Sequence, residues 1–219
     1  MTSVLIIDDH ALIAQGLTFA LRAEGFEVHV CHEPDPELVL ALARVHRPGL
    51  ALVDLQFRAG AHDGLALIAP LETTTTVLVL TGVTDCAVLG ACLDAGAAGV
   101  VSKGEPFDHL LDRIRAVLQG EPAHSLRERE ELLAAHRGRR DADRQRLAVF
   151  DSLSPREREV LDYLAHGYSA EAIAKQAVVS LPTVRTHIQA ILRKLDVNSQ
   201  LAAVACVHEA GWSLVRSAG

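Results

Sequence analysis

Five side chains able to take part in phosphoryl chemistry stand at the ends of four short apolar runs. Val4-Leu5-Ile6-Ile7 leads into Asp8-Asp9, and Leu50-Ala51-Leu52-Val53 leads into Asp54. Val77-Leu78-Val79-Leu80 leads into Thr81, and Gly99-Val100-Val101-Ser102 into Lys103. Carboxylates at Asp8 and Asp9 with Asp54 opposite repel one another unless a hard divalent cation sits among them, and oxygen-only ligation favours Mg2+. A cation there would neutralise an incoming phosphate and leave Asp54 as a nucleophile towards phosphorus. Lys103 can pair with a phosphoryl oxygen, and the Thr81 hydroxyl can donate to another. The plainer alternative is that the acidic pair caps a helix and Lys103 is a solvated loop charge.

Short, continuously apolar runs separated by helical stretches predict parallel strands buried on both faces. The strand ends of one polarity then share an edge, with the ligand crevice outside the carboxyl ends. A helix follows the first run, with Leu12, Ile13, Gly16, Leu17, Ala20 and Leu21 at helical spacing, and Gly25 ends it. Val28 to Cys31 is a strand, and Pro34 and Pro36 open a helix that stops before Pro48-Gly49. Further helices are expected from Leu65, from Asp85 to Asp94 and from Pro106 to Gln119. Five strand-helix units with right-handed crossovers make an α/β doubly wound, parallel five-stranded sheet over residues 1–120.

The 219 residues suit two ordinary domains, and 49% hydrophobic content is enough for packed cores. Residues 1–120 carry 7 basic against 15 acidic side chains, while residues 151–219 carry 7 against 7. The overall charge of −7 therefore belongs to the first domain and does not exclude an anionic partner for the second. The four cysteines, Cys31, Cys86, Cys92 and Cys206, lack C-x-x-C spacing, so buried free thiols in a reducing cytoplasm are expected. The eleven histidines form no zinc-binding spacing, and no stretch is apolar for long enough to span a membrane.

Residues 121–150 form a charged segment. A helix begins at Ser125-Leu126-Arg127-Glu128, with apolar positions only at Leu126, Leu132 and Leu133, and Gly138-Arg139-Arg140 is expected to break it. It reads either as a solvated spacer or as a short docking or dimer helix. Residues 151–219 are helical. Ser154-Pro155-Arg156-Glu157 starts one helix, Ser169 caps the next, and Val178-Val179 makes a turn. Ser180 caps a third helix that tolerates its early Pro182. On that helix Val184, Ile188, Ile191 and Leu195 share one face, with His187 at its margin as a packing residue. Arg185, Thr186, Gln189 and Arg193 lie opposite. Such an outward set can hydrogen-bond base edges in a major groove, while Arg193, Lys194 and the backbone N–H groups at Ser180 suit phosphates.

Residues 3–118, through Asp8, Asp9, Asp54, Thr81 and Lys103, resemble a response-regulator receiver domain of flavodoxin-like fold. The resemblance implies Asp54 as phosphoacceptor, Asp9 as a direct and Asp8 as a water-mediated Mg2+ ligand, and the Gln56 carbonyl as a further ligand. Three departures stand out. Val100 replaces the usual aromatic that rotates inward when the Thr moves. Arg58 replaces a Pro, and the loop to Asp63-Gly64 is longer than usual. The stretch from Leu153 to Leu195, with its run S-x-x-T-V-R-x-H-I-x-x-I-x-x-K-L, resembles the LuxR-type helix-turn-helix that ends NarL/FixJ-family response regulators. This places Arg185, Thr186 and Gln189 at base-contacting positions, Gln189 standing where a Lys is common. The closing helix, Gln200 to Ala210 with Leu201, Val204 and Val207, corresponds to the dimerisation helix.

These resemblances imply a cytoplasmic, two-component transcription factor. It would be fed by a cognate histidine kinase, switched at Asp54, and bound as a homodimer to double-stranded DNA half-sites about 10 bp apart. A rival keeps DNA binding but replaces phosphorylation by a partner or ligand, as Val100 and the altered loop permit. A second rival, a Mg2+-dependent phosphohydrolase, would want an acid two residues after the nucleophile, where Gln56 stands. The expected protein is therefore not an enzyme.

Overall fold

The structure is a computed structural model that describes residues 2–57 and 64–212. The altered loop with Arg58 and Asp63 lies outside the described residues. The chain divides into two compact units, Met1–Gly138 and Arg139–Gly219.

The first unit holds five strands, β1 (Ser3–Ile7), β2 (Glu27–Cys31), β3 (Leu50–Val53), β4 (Thr76–Thr81) and β5 (Gly99–Ser102). They alternate with α1 (Ala11–Ala23), α2 (Pro36–His46), α3 (Gly64–Glu72), α4 (Cys86–Asp94) and α5 (Phe107–Leu118). The strands pair in parallel in the order β2-β1-β3-β4-β5. Strand side chains alternate between faces with period two. Leu5, Ile7, Ala51, Val53, Val77 and Val79 enter one apolar cluster, with residues of α2, α3 and α4. Val4, Ile6, Leu50, Leu52, Leu78 and Leu80 enter the other, with residues of α1 and α5. Both faces are dry, so the strands read as unbroken apolar runs, as expected. The α2 helix opens at Pro36 rather than Pro34, because Asp35 caps it through a hydrogen bond from Leu38 N–H at 3.0 Å.

A sixth helix, α6 (Leu126–Asp151), runs through Gly138 without interruption. This corrects the expected break there. A glycine inside an exposed helix costs only about 1 kcal/mol, and each half of α6 is held elsewhere. Leu132 and Leu133 pack on the first unit's core, and Phe150 is buried in the second's. Residues 121–150 are thus docked near both ends, while 137–149 between them are exposed.

The second unit contains α7 (Pro155–Ala165), α8 (Ala170–Gln176), α9 (Leu181–Lys194) and α10 (Gln200–Ala210). Ser154, Ser169, Ser180 and Ser199 cap them in turn, each accepting a first-turn backbone N–H. Ser154 and Glu157 complete a capping box. Val160, Leu161, Leu164, Ile173, Val184, Ile188, Ile191, Ala203 and Val207 gather around Phe150, whose ring stacks on Trp212 at 5.0 Å. Among the described residues no helix is long and apolar enough to cross a membrane. All four thiols are free, but burial holds only for Cys31 and Cys92. Cys206 is half-buried and Cys86, the first residue of α4, is exposed, which corrects the expectation for both.

Candidate functional site

In the strand order β2-β1-β3-β4-β5 the chain changes direction of travel between β1 and β3, and a crevice opens outside the carboxyl ends at such a point. Asp8 and Asp9 follow β1 and Asp54 follows β3, so the topology brings them to that crevice. Ligand atoms from Asp8, Asp9, His10 and Asp54 all lie within 4.8 Å of one another. Asp8 and Asp54 are only 2% and 3% exposed.

Each carboxylate oxygen has a distinct environment. Asp54 Oδ1 accepts the backbone N–H of Leu55 at 2.7 Å and of Gln56 at 3.3 Å, which orients the group. Asp54 Oδ2 accepts from the Lys103 ammonium at 2.9 Å, and the same ammonium donates to Asp8 Oδ2 at 2.7 Å. Burial alone would lower the Lys103 pKa. The hydrogen bonds and charges of Asp54 and Asp8 outweigh it and hold the ammonium above its usual range. Gly64 is required behind Asp54, since a Cβ there would collide with the Asp54 carbonyl oxygen. Thr81, at the end of β4, is buried, and its hydroxyl oxygen accepts Val83 N–H at 3.2 Å.

His10 is a member of the cluster that sequence reasoning missed, although it directly follows the acidic pair. Its Nδ1 lies 3.0 Å from Asp9 Oδ1, 3.2 Å from Asp8 Oδ1 and 3.8 Å from Asp54 Oδ2. The donor set suits a divalent cation: three carboxylates, two of them buried, face a lysine ammonium and an imidazole. Asp8, Asp9 and Asp54 would hold a Mg2+ through oxygen.

In the second unit, α9 presents two faces. Val184, Ile188 and Ile191 are buried, whereas Arg185, Thr186, Gln189 and Arg193 are exposed. The helix begins at Ser180, whose hydroxyl oxygen accepts Thr183 N–H at 3.3 Å. Thr186 Oγ1 donates back to the Pro182 carbonyl at 3.0 Å, and Arg185 Nη2 lies 3.8 Å from Glu171 Oε1. Lys194 departs from expectation. Its ammonium donates to Glu157 Oε2 at 2.6 Å and to the Ser152 carbonyl at 2.9 Å, which ties α9 to the start of α7.

The α10 helix also corrects the expected set. Val207 is buried in the domain's own core and Val204 packs against it, which leaves Leu201, 80% exposed, as the outward apolar residue of the three.

Comparison with known proteins agrees with the fold of both units. Residues 4–115 match the family model of the response regulator receiver domain, and residues 151–207 match that of the bacterial regulatory proteins of the luxR family. A Pseudomonas aeruginosa relative named as a transcriptional regulator is 37% identical over 205 residues, covering 91% of this chain and 93% of that protein. The oxygen regulatory protein NreC of Staphylococcus epidermidis is 30% identical over 203 residues, covering 90% and 92%. Among solved structures, the RcsB response regulator of Salmonella typhimurium aligns with a TM-score of 0.51 at 23% identity, over 95% of this chain and all of that one, a likeness of fold. With both domains matched and relatives similar along nearly their whole length, the chain belongs to the family of transcriptional response regulators that join a receiver domain to a LuxR-family helix-turn-helix domain.

Proposed function

We propose that this response regulator accepts a phosphoryl group on Asp54 and answers by changing how its second unit engages DNA. The observation that carries the reading is the Lys103 ammonium bridging Asp8 and Asp54 inside a cluster where three carboxylates and one imidazole converge. Asp54 Oδ2 would form the new O–P bond while the donor's leaving group departs with the electrons of the broken bond. A phosphohistidine on a cognate kinase is the physiological donor in this reading. Asp8, Asp9, Asp54 and the Gln56 carbonyl would hold a Mg2+, which would supply charge neutralisation for the incoming phosphoryl oxygens.

Lys103 then exchanges a carboxylate oxygen for a phosphoryl oxygen. The Thr81 hydroxyl, which accepts Val83 N–H, turns to donate to another. The added charge favours one of two pre-existing arrangements. The aspartyl phosphate forms on the protein itself, with no separate substrate turned over. On α9, Arg185, Thr186 and Gln189 are assigned to base edges, and Arg193 with the Ser180 end of the helix to phosphates. The active form is a cytoplasmic homodimer on double-stranded DNA, paired with a contribution from Leu201.

Asp54→Asn is expected to abolish incorporation from a small acyl-phosphate donor with Mg2+, read by intact mass. Undiminished incorporation would move the acceptor elsewhere. An unlabelled wild-type chain with full DNA affinity would instead favour control by a partner or ligand. Arg185→Ala is expected to cost about 1–3 kcal/mol of discrimination at one base position in a binding-site selection. An unchanged preference would remove Arg185 from the readers.

A further inference from the structure

The first part of the linker does not stand in solvent. Residues 123–136 lie over the face that α4, β5 and α5 present, and two glycines admit them. A Cβ on Gly90 of α4 would collide with the Leu132 carbonyl oxygen, and one on Gly99 of β5 with the Ala123 side chain. Such close approach allows no side chain larger than hydrogen at either position. Leu132 and Leu133 pack on the core beneath, and His136 Nε2 lies 3.6 Å from Asp94 Oδ2 at the end of α4.

The polar anchor is His124. Its Nε2 accepts the backbone N–H of Val100 at 2.9 Å. Because β5 is an edge strand, that N–H has no neighbouring strand to bond, and the imidazole takes the partner's place. The bond requires a lone pair on Nε2, hence a ring not protonated at that nitrogen, and Nδ1 faces Arg113 Nη1 at 3.3 Å and Glu128 Oε2 at 4.0 Å. Burial, with the Arg113 guanidinium beside it, pushes the His124 pKa down and favours that form. Arg113 of α5 also donates to the Ala123 carbonyl, fixing the segment just before the ring. Between this cover and the sheet lies a cavity of about 460 Å³. Thr81, Val83 and Val100 line it from the sheet side, and His124, Leu132 and Ala135 from the other.

We propose that residues 123–136 are a resident cover of the α4–β5–α5 face, and that His124 is the positioning residue through which the state of Thr81 reaches that cover. The coupling rests on the Asp54 reading given above. Thr81 and Val100 border the same cavity on paired neighbouring strands, with Thr81 opposite Ser102 and Val79 opposite Val100. A turn of Thr81 towards a phosphoryl group changes the packing in that cavity and the position of β5. It therefore acts on the Val100–His124 bond. While the cover is seated, no second copy can pair through this face. The covering helix continues to Asp151 and carries Phe150, a core residue of the second unit.

The test is amide hydrogen exchange across residues 126–136 in the full chain with Mg2+, with and without beryllofluoride as phosphoryl mimic. Incorporation at Asp54 from an acyl-phosphate donor is measured separately by mass. In the wild type the mimic is expected to speed exchange of these amides at least about fivefold, the factor carried by one hydrogen bond of ordinary net strength. His124→Leu, which keeps bulk and loses the acceptor, is expected to show the faster exchange without the mimic and no further response. His124→Gln, whose Oε1 can accept from Val100 N–H, is expected to behave as the wild type. Equal effects of Leu and Gln would reduce His124 to packing and overturn the assignment. Wild-type protection in the Leu variant would do the same. If Asp54 takes up phosphoryl and residues 126–136 do not respond, the coupling is wrong while the phosphorylation reading stands. If Asp54 takes up none, the phosphorylation reading and the coupling fall together, and the cover is decided by the Leu and Gln variants without mimic.

Discussion

In the first unit the candidate reactive carboxylates of Asp8 and Asp54 are almost wholly buried and tied to one ammonium, whereas in the second the candidate base readers Arg185, Thr186 and Gln189 stand in solvent on a single helix. In the proposed function the difference follows from the partners. A phosphoryl group is small, and catalysis on it gains from converging charges in a site of low dielectric. A DNA groove is large, and reading it requires side chains that project from a rigid element. The second unit also has a buried carboxylate, Glu157, paired with the exposed Lys194, but there the pair braces a helix start and carries no reactive role in the proposed function. In the proposed function buried charge thus serves chemistry in one unit and bracing in the other.

The sharpest way to break this comparison is to remove each ammonium-carboxylate tie. Lys103→Met leaves two buried carboxylates without their shared partner and is expected to destabilise the first unit by about 3 kcal/mol in the absence of divalent cations. Added Mg2+ should recover part of the loss, followed by chemical denaturation with circular dichroism. A variant as stable as the wild type without metal would show that the carboxylates are not strained by their proximity.

Glu157→Ala is expected to cost the second unit less, about 2 kcal/mol, because a cap and a charged hydrogen bond are lost but no unpaired buried charge is created. Trp212, the only tryptophan, stacks on Phe150 and reports this unit by fluorescence. The two ties also fail at opposite ends of the pH scale. Burial alone would raise the Glu157 pKa, but the bonds from Lys194 and Ser154 hold it below the usual 4.5. Its contribution is therefore complete above that value and is lost as pH falls through the lowered one. The Lys103 pKa is raised above 10.5, so its contribution is complete below that value and is lost as pH rises through the raised one. Trp212 unfolding that ignored acid below pH 4.5 would sink the Glu157 assignment.

The smallest expected effect lies in the helix-turn-helix turn. Val178 has φ of +54°, a left-handed backbone that a β-branched residue adopts at a cost of about 1 kcal/mol. Val178→Gly removes that strain and loses some of the gain to unfolded-chain entropy, for a net stabilisation of up to about 1 kcal/mol. A lowered melting midpoint would mean that the exposed valine side chain contributes more than its backbone costs.

The strands and the helix-turn-helix were legible because their signals are local. A strand buried on both faces reads as an apolar run, and a capped amphipathic helix carries its own start and its own period. The convergence of Asp8, Asp9 and Asp54 was legible because parallel strands leave only one edge for their ends to share. The linker was not. Gly138 carries a breaking signal of about 1 kcal/mol, smaller than what Leu132, Leu133 and Phe150 gain by docking. On α10 the apolar residues Leu201, Ala203, Val204 and Val207 surround much of the helix, and periodicity alone could not show that Val207 faces inward and Leu201 outward.

By itself the sequence determined the two domain types, the chemistry available at the strand ends and the outward face of α9, since each depends on residues near one another in the chain or on a topology with one solution. Tertiary structure alone decided the rest. It placed His10 among the carboxylates, committed Lys194 to Glu157, and seated His124 on the edge of β5. These are contacts between groups far apart in sequence or free to turn either way, and only the packed chain selects one partner for each.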